Sequence, residues 1–574
     1  MGLLWHSVGY EWRYDSYWAD ASNGEYGSKM LGPWTSTYTM PASALVIVPS
    51  SFEELREAVA YYGKVKPPLR VVGSGHSWSA TGYTDGTLID VRQLSRVLHF
   101  DSDSIEVESG MKVQDAVQFL TSRGFELHGV GSIRAQAIGG VVSQGVHGAH
   151  PDGLNRHVVG LKVILWDGSL QSIEDEGELF MWRSSMGMLG VIASVTFRIF
   201  PQSLLRLERS PIKSLEDLDL MGEHLDPKSE TSFTGFLYPS FCGSLGWKRV
   251  GFFVNASSAN PKHELKNQTD FGSRLQLHFN DHMHPAMQYF SRGLLGLAVS
   301  CMEQILADWG HSTLLSGPDT DILHNDGLIP QFYEIIDYEY MIPTRHCKLF
   351  ARELLIEQRF GRVLIPVCLR LMRAEMSCLS IAEEDSCIFA VQSMRGMAYT
   401  LDVLAMEKRV GELGGRAHFG KVAPGDFRFY SYKCMEAFKQ KRQKMDPHNI
   451  FLTPYLKRIL DFNLHSMEQG AFGMYKASID FVRNMEEFHP ILIARQFSMQ
   501  RARMYAAVSW LLLIVFLFFS WRKLSMRQSK EPSKEDSSSI IVIPWSWIHW
   551  FYSADSRDRN FHVYQKLRAW EKPR

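Results

Sequence analysis

Apolar and polar positions alternate in two rhythms over the first 200 residues. "SALVIVPS" (43–50) is a short β-branched run and reads as a strand. "SFEELREAVAYYGK" (51–64) changes period: Leu55, Val59 and Tyr62 fall on one helical face, and Ser51 stands where an N-cap belongs. "LRVVG" (69–73) is a strand running into glycine, and "GTLIDV" (86–91), "RVLHF" (96–100) and "SIEVESG" (104–110) are further strands. "KVQDAVQFLTSRG" (112–124) reads as a helix closed by Gly124. "VVGLKVILWDGSL" (158–170) predicts two strands about a turn at Asp167–Gly168, and "MLGVIASVTFRIF" (188–200) predicts another strand. Residues 205–400 mix strands and helices with weaker periodicity, and 460–500 are helical and amphipathic.

Met504–Trp521 breaks the pattern with 18 residues that carry no charge, the short end of what spans a bilayer. Arg501 and Arg503 flank one side, and Arg522, Lys523 and Arg527 the other. Tyr505, Trp510 and Trp521 suit the interfaces, so a single transmembrane helix is expected. Beyond it, 528–538 reads as a solvated linker. "IIVIPWSWIHWFY" (540–552) is short and interrupted by Pro544, which fits an interfacial segment. The N-terminus has neither a basic n-region nor an apolar run, so no secretory signal is expected. His6 stands where a myristoylation motif needs Ser or Thr.

At 574 residues with 45% hydrophobic and 21% charged positions, the chain can build large cores in more than one domain. A net charge of −1 gives no footprint for nucleic acid. Seven cysteines without CxxC spacing argue against a disulfide framework or a structural zinc site and fit a reducing compartment; no metal is expected.

Three glycine-rich stretches fall within about 120 residues: Gly73–Ser79, Gly129–His150 and Ser184–Thr196. Glycine lets the backbone approach a ligand closely, and successive N–H groups form a concavity suited to a pyrophosphate.

With "GSGHSWS", "GSIRAQAIGGVVSQGVHG", "SSMGMLGVIASVT", "HFGK" (418–421) and "MDPHNIFLTPYL" (445–456) in this order, behind an entry "WTSTYTMPASALVIVPSSFEELREAV", the chain resembles the FAD-linked oxidases of the vanillyl-alcohol oxidase fold. Within them it is similar to the sugar-1,4-lactone oxidases (gulonolactone, galactonolactone and arabinonolactone enzymes) and the alditol oxidases. The resemblance implies an α+β fold: a two-subdomain FAD-binding module at 30–204 and an α/β cap at 205–460 that returns to the flavin. An amphipathic connector at 461–503, the transmembrane helix at 504–521 and a polar, aromatic tail at 522–574 follow.

The resemblance also implies roles. His76 stands where relatives attach the flavin covalently through its 8α-methyl, within a loop of Gly73, Ser74, Gly75, Ser77, Trp78 and Ser79. Ser132, Ala137, Gly140, Gln144, Gly145, Val146 and His147 are implied FAD contacts, with His147 orienting its loop, and Ile192 matches the adenine end. Gly131 matches the position where glycine leaves oxygen a path to the flavin and alanine obstructs it. Arg370 matches the arginine of a Glu-x-Arg pair, but Cys368 stands in the glutamate's place, and a thiol is a poor substitute for a carboxylate. His418 and Lys421 match the pair placed over the flavin, with His418 expected to accept the hydroxyl proton.

The implied activity is oxidation of a sugar-1,4-lactone hydroxyl, with hydride to FAD, reoxidation by molecular oxygen to hydrogen peroxide, and ascorbate-type products. A membrane-associated flavin dehydrogenase, an alditol (polyol) oxidase and a non-catalytic flavin-binding membrane protein stand as alternatives. An intracellular membrane is expected, the endoplasmic reticulum ahead of the mitochondrion.

Overall fold

The computed structural model describes residues 44–212, 214–218, 232–237, 251–258, 316–318, 335–361, 363, 367–394, 402–422 and 432–460. The apolar segment 504–521 and both flanking regions lie outside the described residues, as does most of 219–334.

A small parallel sheet opens the fold, with β1 (Leu45–Ile47), β2 (Leu69–Val72) and β3 (Thr87–Asp90) in the order β1–β3–β2. Helix α1 (Phe52–Val65) makes the crossover that a parallel arrangement requires. The Ser51 hydroxyl accepts the Glu54 N–H at 3.2 Å, the expected cap. The helix buries Leu55 and Val59 against Leu69, Ile89, Ile164 and Val191.

The second sheet is antiparallel. Its strands come from β4 (Val97–Phe100), β5 (Ser104–Glu108), β7 (Val158–Ile164), β8 (Leu170–Ile173) and β9 (Val191–Arg198), in the order β4–β5–β9–β7–β8. A short β6 (Phe125–Glu126) pairs with β10 (Phe200–Pro201) beside it. Helix α2 (Val113–Thr121) buries Ala116, Val117 and Leu120 in the same core as Ile105, Val107, Leu161 and Val195. The turn at Asp167–Gly168 forms as expected: Gly168 takes φ +81°, and the Asp167 carboxylate accepts the Ser169 N–H at 2.9 Å. Helix α3 (Ile138–Gln144) occupies the second glycine stretch.

The third sheet has eight strands: β11 (Leu204–Ile212), β12 (Ser232–Leu237), β13 (Gly251–Ser258), β14 (Ser316–Pro318), β15 (Ile335–Pro343), β16 (Val367–Met372), β17 (Ser386–Met394) and β18 (Arg416–Ala417). Its order is β14–β11–β13–β12–β16–β17–β15–β18. Side chains alternate along β15, so Tyr338 and Tyr340 enter the core while Asp337 and Glu339 face the other way. The register sets Cys368, Ala390 and Glu339 in one row across β16, β17 and β15.

The chain returns to the first sheet through "MDPHNIF". The fully buried Asp446 carboxylate accepts the N–H groups of Ile450 and Phe451 at 2.8 and 3.0 Å, and the Ile450 carbonyl accepts the Leu69 N–H at 2.6 Å. This turn seats Phe451 against β2 and the glycine loop.

The described cysteines include one bonded pair. A disulfide joins Cys378 to Cys434, with Cα atoms 5.7 Å apart, while Cys347, Cys368 and Cys387 are free. A single bridge is not a framework, and the two cysteines, 56 residues apart, have no local spacing to announce it.

Candidate active site

A cavity of about 250 Å³ lies where the three glycine stretches meet the third sheet. Gly73, Ser74, Gly75, His76, Ser77 and Trp78 line it from the first loop. The second stretch contributes Gly131, Ser132, Ala137, Gly140, Gln144, Val146 and His147, and β9 contributes Ile192. Arg370, His418 and Lys421 line it from the other side.

Two expected contacts are not in its wall. Ser79 is buried behind the loop, where its hydroxyl donates to the Phe419 carbonyl at 2.5 Å. Gly145 ends α3 in the left-handed region at φ +67°, and a side chain there would meet the Ser184 hydroxyl at 2.8 Å. Both positions shape the loops without facing the cavity. The Ser79 bond has a neighbour: the Trp78 N–H donates to the Gly420 carbonyl at 2.7 Å. Together they tie the first glycine loop to "HFGK", 340 residues away, so His76 and His418 belong to one cavity.

The cavity fits FAD on its own features. Nothing lies within 4 Å of where a Gly140 side chain would begin, and that backbone faces the opening. The Gln144 side-chain oxygen is buried and unpartnered, while its amide nitrogen donates to Thr81 at 3.2 Å. An acceptor held this way suits the N–H and O–H donors of a flavin and its ribityl chain. Burial, then the charge of Lys112, push His76 down to about 3, so its imidazole is neutral and nucleophilic at neutral pH.

The sequence reading missed the acidic half of the site. Asp337 and Glu339 project from β15 into the cavity. Lys421 Nζ donates to Asp337 Oδ2 and stands 3.6 Å from Glu339. His147 Nε2 lies 2.7 Å from Glu339 Oε1. Burial raises Glu339, but the charges of Lys421 and His147 outweigh it and hold the carboxyl well below its usual range. A carboxylate only accepts, so His147 carries its proton on Nε2. The bond joins the second glycine stretch to β15. Burial, with the Glu339 charge adding, raises Asp337 despite Lys421. Its Oδ1 is buried and has no hydrogen-bond partner.

Arg370 donates to the Ser132 hydroxyl at 2.9 Å, joining β16 to the second glycine loop. Desolvation pushes the Cys368 thiol up, so it stays neutral and cannot replace a carboxylate.

The role expected of His418 changes. The Gly420 backbone N–H donates to its Nδ1 at 2.9 Å. A neutral ring with Nδ1 accepting carries its proton on Nε2, so His418 is a hydrogen-bond donor and not the resting proton acceptor. Burial pushes it down to about 3 despite Glu339. The carboxylate oxygen left without a hydrogen-bond partner is Asp337 Oδ1. The signal for it was present in "IIDYEY", where two acids at alternate positions interrupt an apolar strand.

These shifts predict an acid limit. His76 and His418 ionise near 3 in the native protein against 6.5 for the free side chain. Between those values the unfolded chain binds protons that the native state does not, so stability falls as pH drops below about 6.5. The thermal midpoint is expected to decline from pH 7 to pH 5, with a shallower slope in His76→Asn. Equal slopes in the two proteins would contradict the assignment.

The fold and the cavity define a flavoprotein of the FAD-binding oxidase type. Residues 43–174 match the FAD binding domain family, and 254–459 match the D-arabinono-1,4-lactone oxidase family. The chain is 26% identical to the L-gulono-1,4-lactone dehydrogenase of Mycobacterium tuberculosis, over 73% of this chain and 96% of that protein. It is 24% identical to the L-gulonolactone oxidase of Mus musculus, over 74% and 97%. Among solved structures, a solvent-stable cholesterol oxidase shares the fold with a TM-score of 0.59 at 13% identity, covering 75% of this chain and 97% of that one. Over most of its described length the chain is thus similar to FAD-linked sugar-1,4-lactone oxidases and dehydrogenases.

Proposed function

We propose that this protein is an FAD-dependent oxidase that converts a CH–OH group of a sugar-1,4-lactone to a carbonyl. The observation that carries this reading is the single cavity shared by the glycine loops, Arg370 and the acidic pair of β15. Bound in that cavity, FAD supplies the hydride acceptor and the route for the electrons to oxygen. The glycine loops and Gln144 would hold it, and His76 is the residue that would carry a covalent link to it. Asp337 Oδ1 takes the hydroxyl proton, favoured by its raised pKa. Lys421 fixes the other carboxylate oxygen, and Arg370 and His418 present N–H donors to the substrate oxygen. Glu339 and His147 keep Lys421 in place.

Gly131 supports oxygen as the acceptor, since a methyl group there would lie 2.7 Å from Val146 Cγ1 and fill this part of the wall. The second reading is a dehydrogenase, which the name of the mycobacterial relative favours. Residues 504–521 anchor the enzyme to an intracellular membrane, with the endoplasmic reticulum preferred.

One preparation tests these points. Alkaline-washed membranes from cells expressing the full chain should retain the protein, and the enzyme extracted from them should be yellow. Anaerobic addition of L-gulono-, L-galactono- or D-arabinono-1,4-lactone should bleach the flavin, and air should restore it with one peroxide per turnover. Gly131→Ala should slow reoxidation more than bleaching. Failure of every lactone and polyol to bleach the flavin would overturn the enzymatic reading. Bleaching without peroxide, with recovery on adding a quinone, would make it a dehydrogenase. Loss of the protein into the wash would remove the anchor.

A further inference from the structure

A second group of titratable side chains lies beside the β6–β10 ladder. His128 follows β6, His150 ends the second glycine stretch, and His157 lies just before β7. Their ring centroids are 4.6 Å (His128–His150), 5.8 Å (His128–His157) and 6.4 Å (His150–His157) apart. One ligating nitrogen of each lies within 4.8 Å of the others. We infer that His128, His150 and His157 form a binding site for a divalent transition metal, Zn²⁺ in chemical preference.

The hydrogen bonds around the rings suit this role. Glu126 Oε1 takes one nitrogen of His128, at 3.3 Å from Nε2, and leaves the other as a lone pair. A carboxylate behind a ligating imidazole fixes the ring and makes it a stronger ligand. The Asp152 main chain engages Nδ1 of His150, with its N–H at 3.1 Å and its carbonyl at 3.4 Å, and leaves Nε2. As it stands the Asp152 N–H donates to Nδ1, which places the ring proton on Nε2; ligation through Nε2 shifts that proton to Nδ1, where it donates to the carbonyl instead. Nε2 of His157 is buried and has no hydrogen-bond partner, in a residue only 7% exposed.

Charge gives a second argument. Glu126 is fully buried, and among the described residues its partners are His128 and the Ser203 hydroxyl at 2.7 Å. Its Oε2 has no partner. A carboxylate removed from water calls for a nearby cation, which a metal on His128 provides. Asp152 is already paired with Arg373 at 2.9 Å and Arg156 at 3.5 Å, so it is not needed as a ligand.

Zinc–nitrogen bonds are about 2.0–2.1 Å, so tetrahedral ligation sets the nitrogens about 3.3 Å apart and requires them to close by up to about 1.5 Å, through side-chain rotation. Three imidazoles leave one position for water. The metal would clip β6 and the 148–157 loop together, just downstream of His147. Its role is therefore to hold the loop that carries His147, outside the redox reaction itself.

The test uses the full-length flavoprotein after chelation and dialysis. Co²⁺ added alone should bind at one equivalent with the visible spectrum of a four-coordinate site, and Zn²⁺ should displace it. Zn²⁺ should raise the thermal midpoint. His157→Asn and His128→Gln should each weaken Co²⁺ binding at least tenfold while retaining flavin. Glu339→Gln should leave binding intact, because His147, Glu339 and His418 form a separate cluster in the catalytic cavity. No Co²⁺ spectrum with the wild-type protein overturns the proposal. So does wild-type affinity in either histidine variant, or loss of binding only in Glu339→Gln. Flavin retention in the partly exposed His128 variant keeps the result interpretable if the buried His157 variant fails to fold.

Discussion

Asp337→Asn is expected to slow anaerobic flavin reduction by about 10²- to 10⁴-fold, the usual contribution of a general base, with flavin content unchanged. The substitution preserves shape. It removes the charge that holds Lys421 and replaces an unpartnered carboxylate oxygen with part of a neutral amide. The ammonium would be left with Glu339 at 3.6 Å, an acid already held by His147 at 2.7 Å. Stopped-flow reduction across pH separates a base from a packing role. The wild-type rate should fall on the acid side, as Asp337 protonates above the usual carboxylate range. That acid limb should vanish in the variant. Retention of a third of the wild-type rate, or an unchanged acid limb, would remove Asp337 from the chemistry.

Cys368 makes this assignment specific to the chain. It shares a row with Glu339, separated by Ala390, whose side chain is a single methyl. A glutamate at 368 would face Glu339 across that gap, and two buried like charges repel strongly. With a neutral thiol at 368, the acidic groups come from β15 instead. Cys368→Ser should therefore change the rate far less than Asp337→Asn.

The contrast between β15 and the glycine loops shows what the sequence made legible. The α1 cap at Ser51 and the turn at Asp167–Gly168 each rest on neighbours within a few residues, so local chemistry reveals them. Asp337 gains its role only when β15 pairs with β17, which places it opposite Gln392 and on the cavity side. That register is a tertiary fact. The same holds for His418: its type and place were readable, but its tautomer is set by the Gly420 N–H. His128, His150 and His157 follow no ligand spacing, and the fold alone gathers them. Ser79 shows the reverse case, a motif residue whose side chain turns to the Phe419 carbonyl.

His76→Ala is expected to abolish covalent flavin. Wild-type protein precipitated with acid and washed should give a yellow, fluorescent pellet, and a proteolytic flavin peptide should map to residues around His76. The variant pellet should be colourless. The native variant should still bind FAD, because the cradle is built elsewhere, from Gly140, Gln144 and the backbone of the second and third glycine stretches. The chemical case rests on His76 itself. Burial and the charge of Lys112 hold its ring neutral down to about pH 3, so a nucleophilic nitrogen is available across the physiological range. His76 is bonded into the same loop system as the catalytic groups, since Trp78 and Ser79 clamp the segment to Gly420 and Phe419. Removing the tether should then lower flavin affinity and reduction potential without displacing Asp337 or Arg370. The two variants therefore separate cleanly: Asp337→Asn keeps the colour and loses the rate, and His76→Ala loses the bound colour on denaturation. A yellow pellet from His76→Ala, or a wild-type supernatant holding all the flavin, would end the covalent assignment while leaving the catalytic one standing.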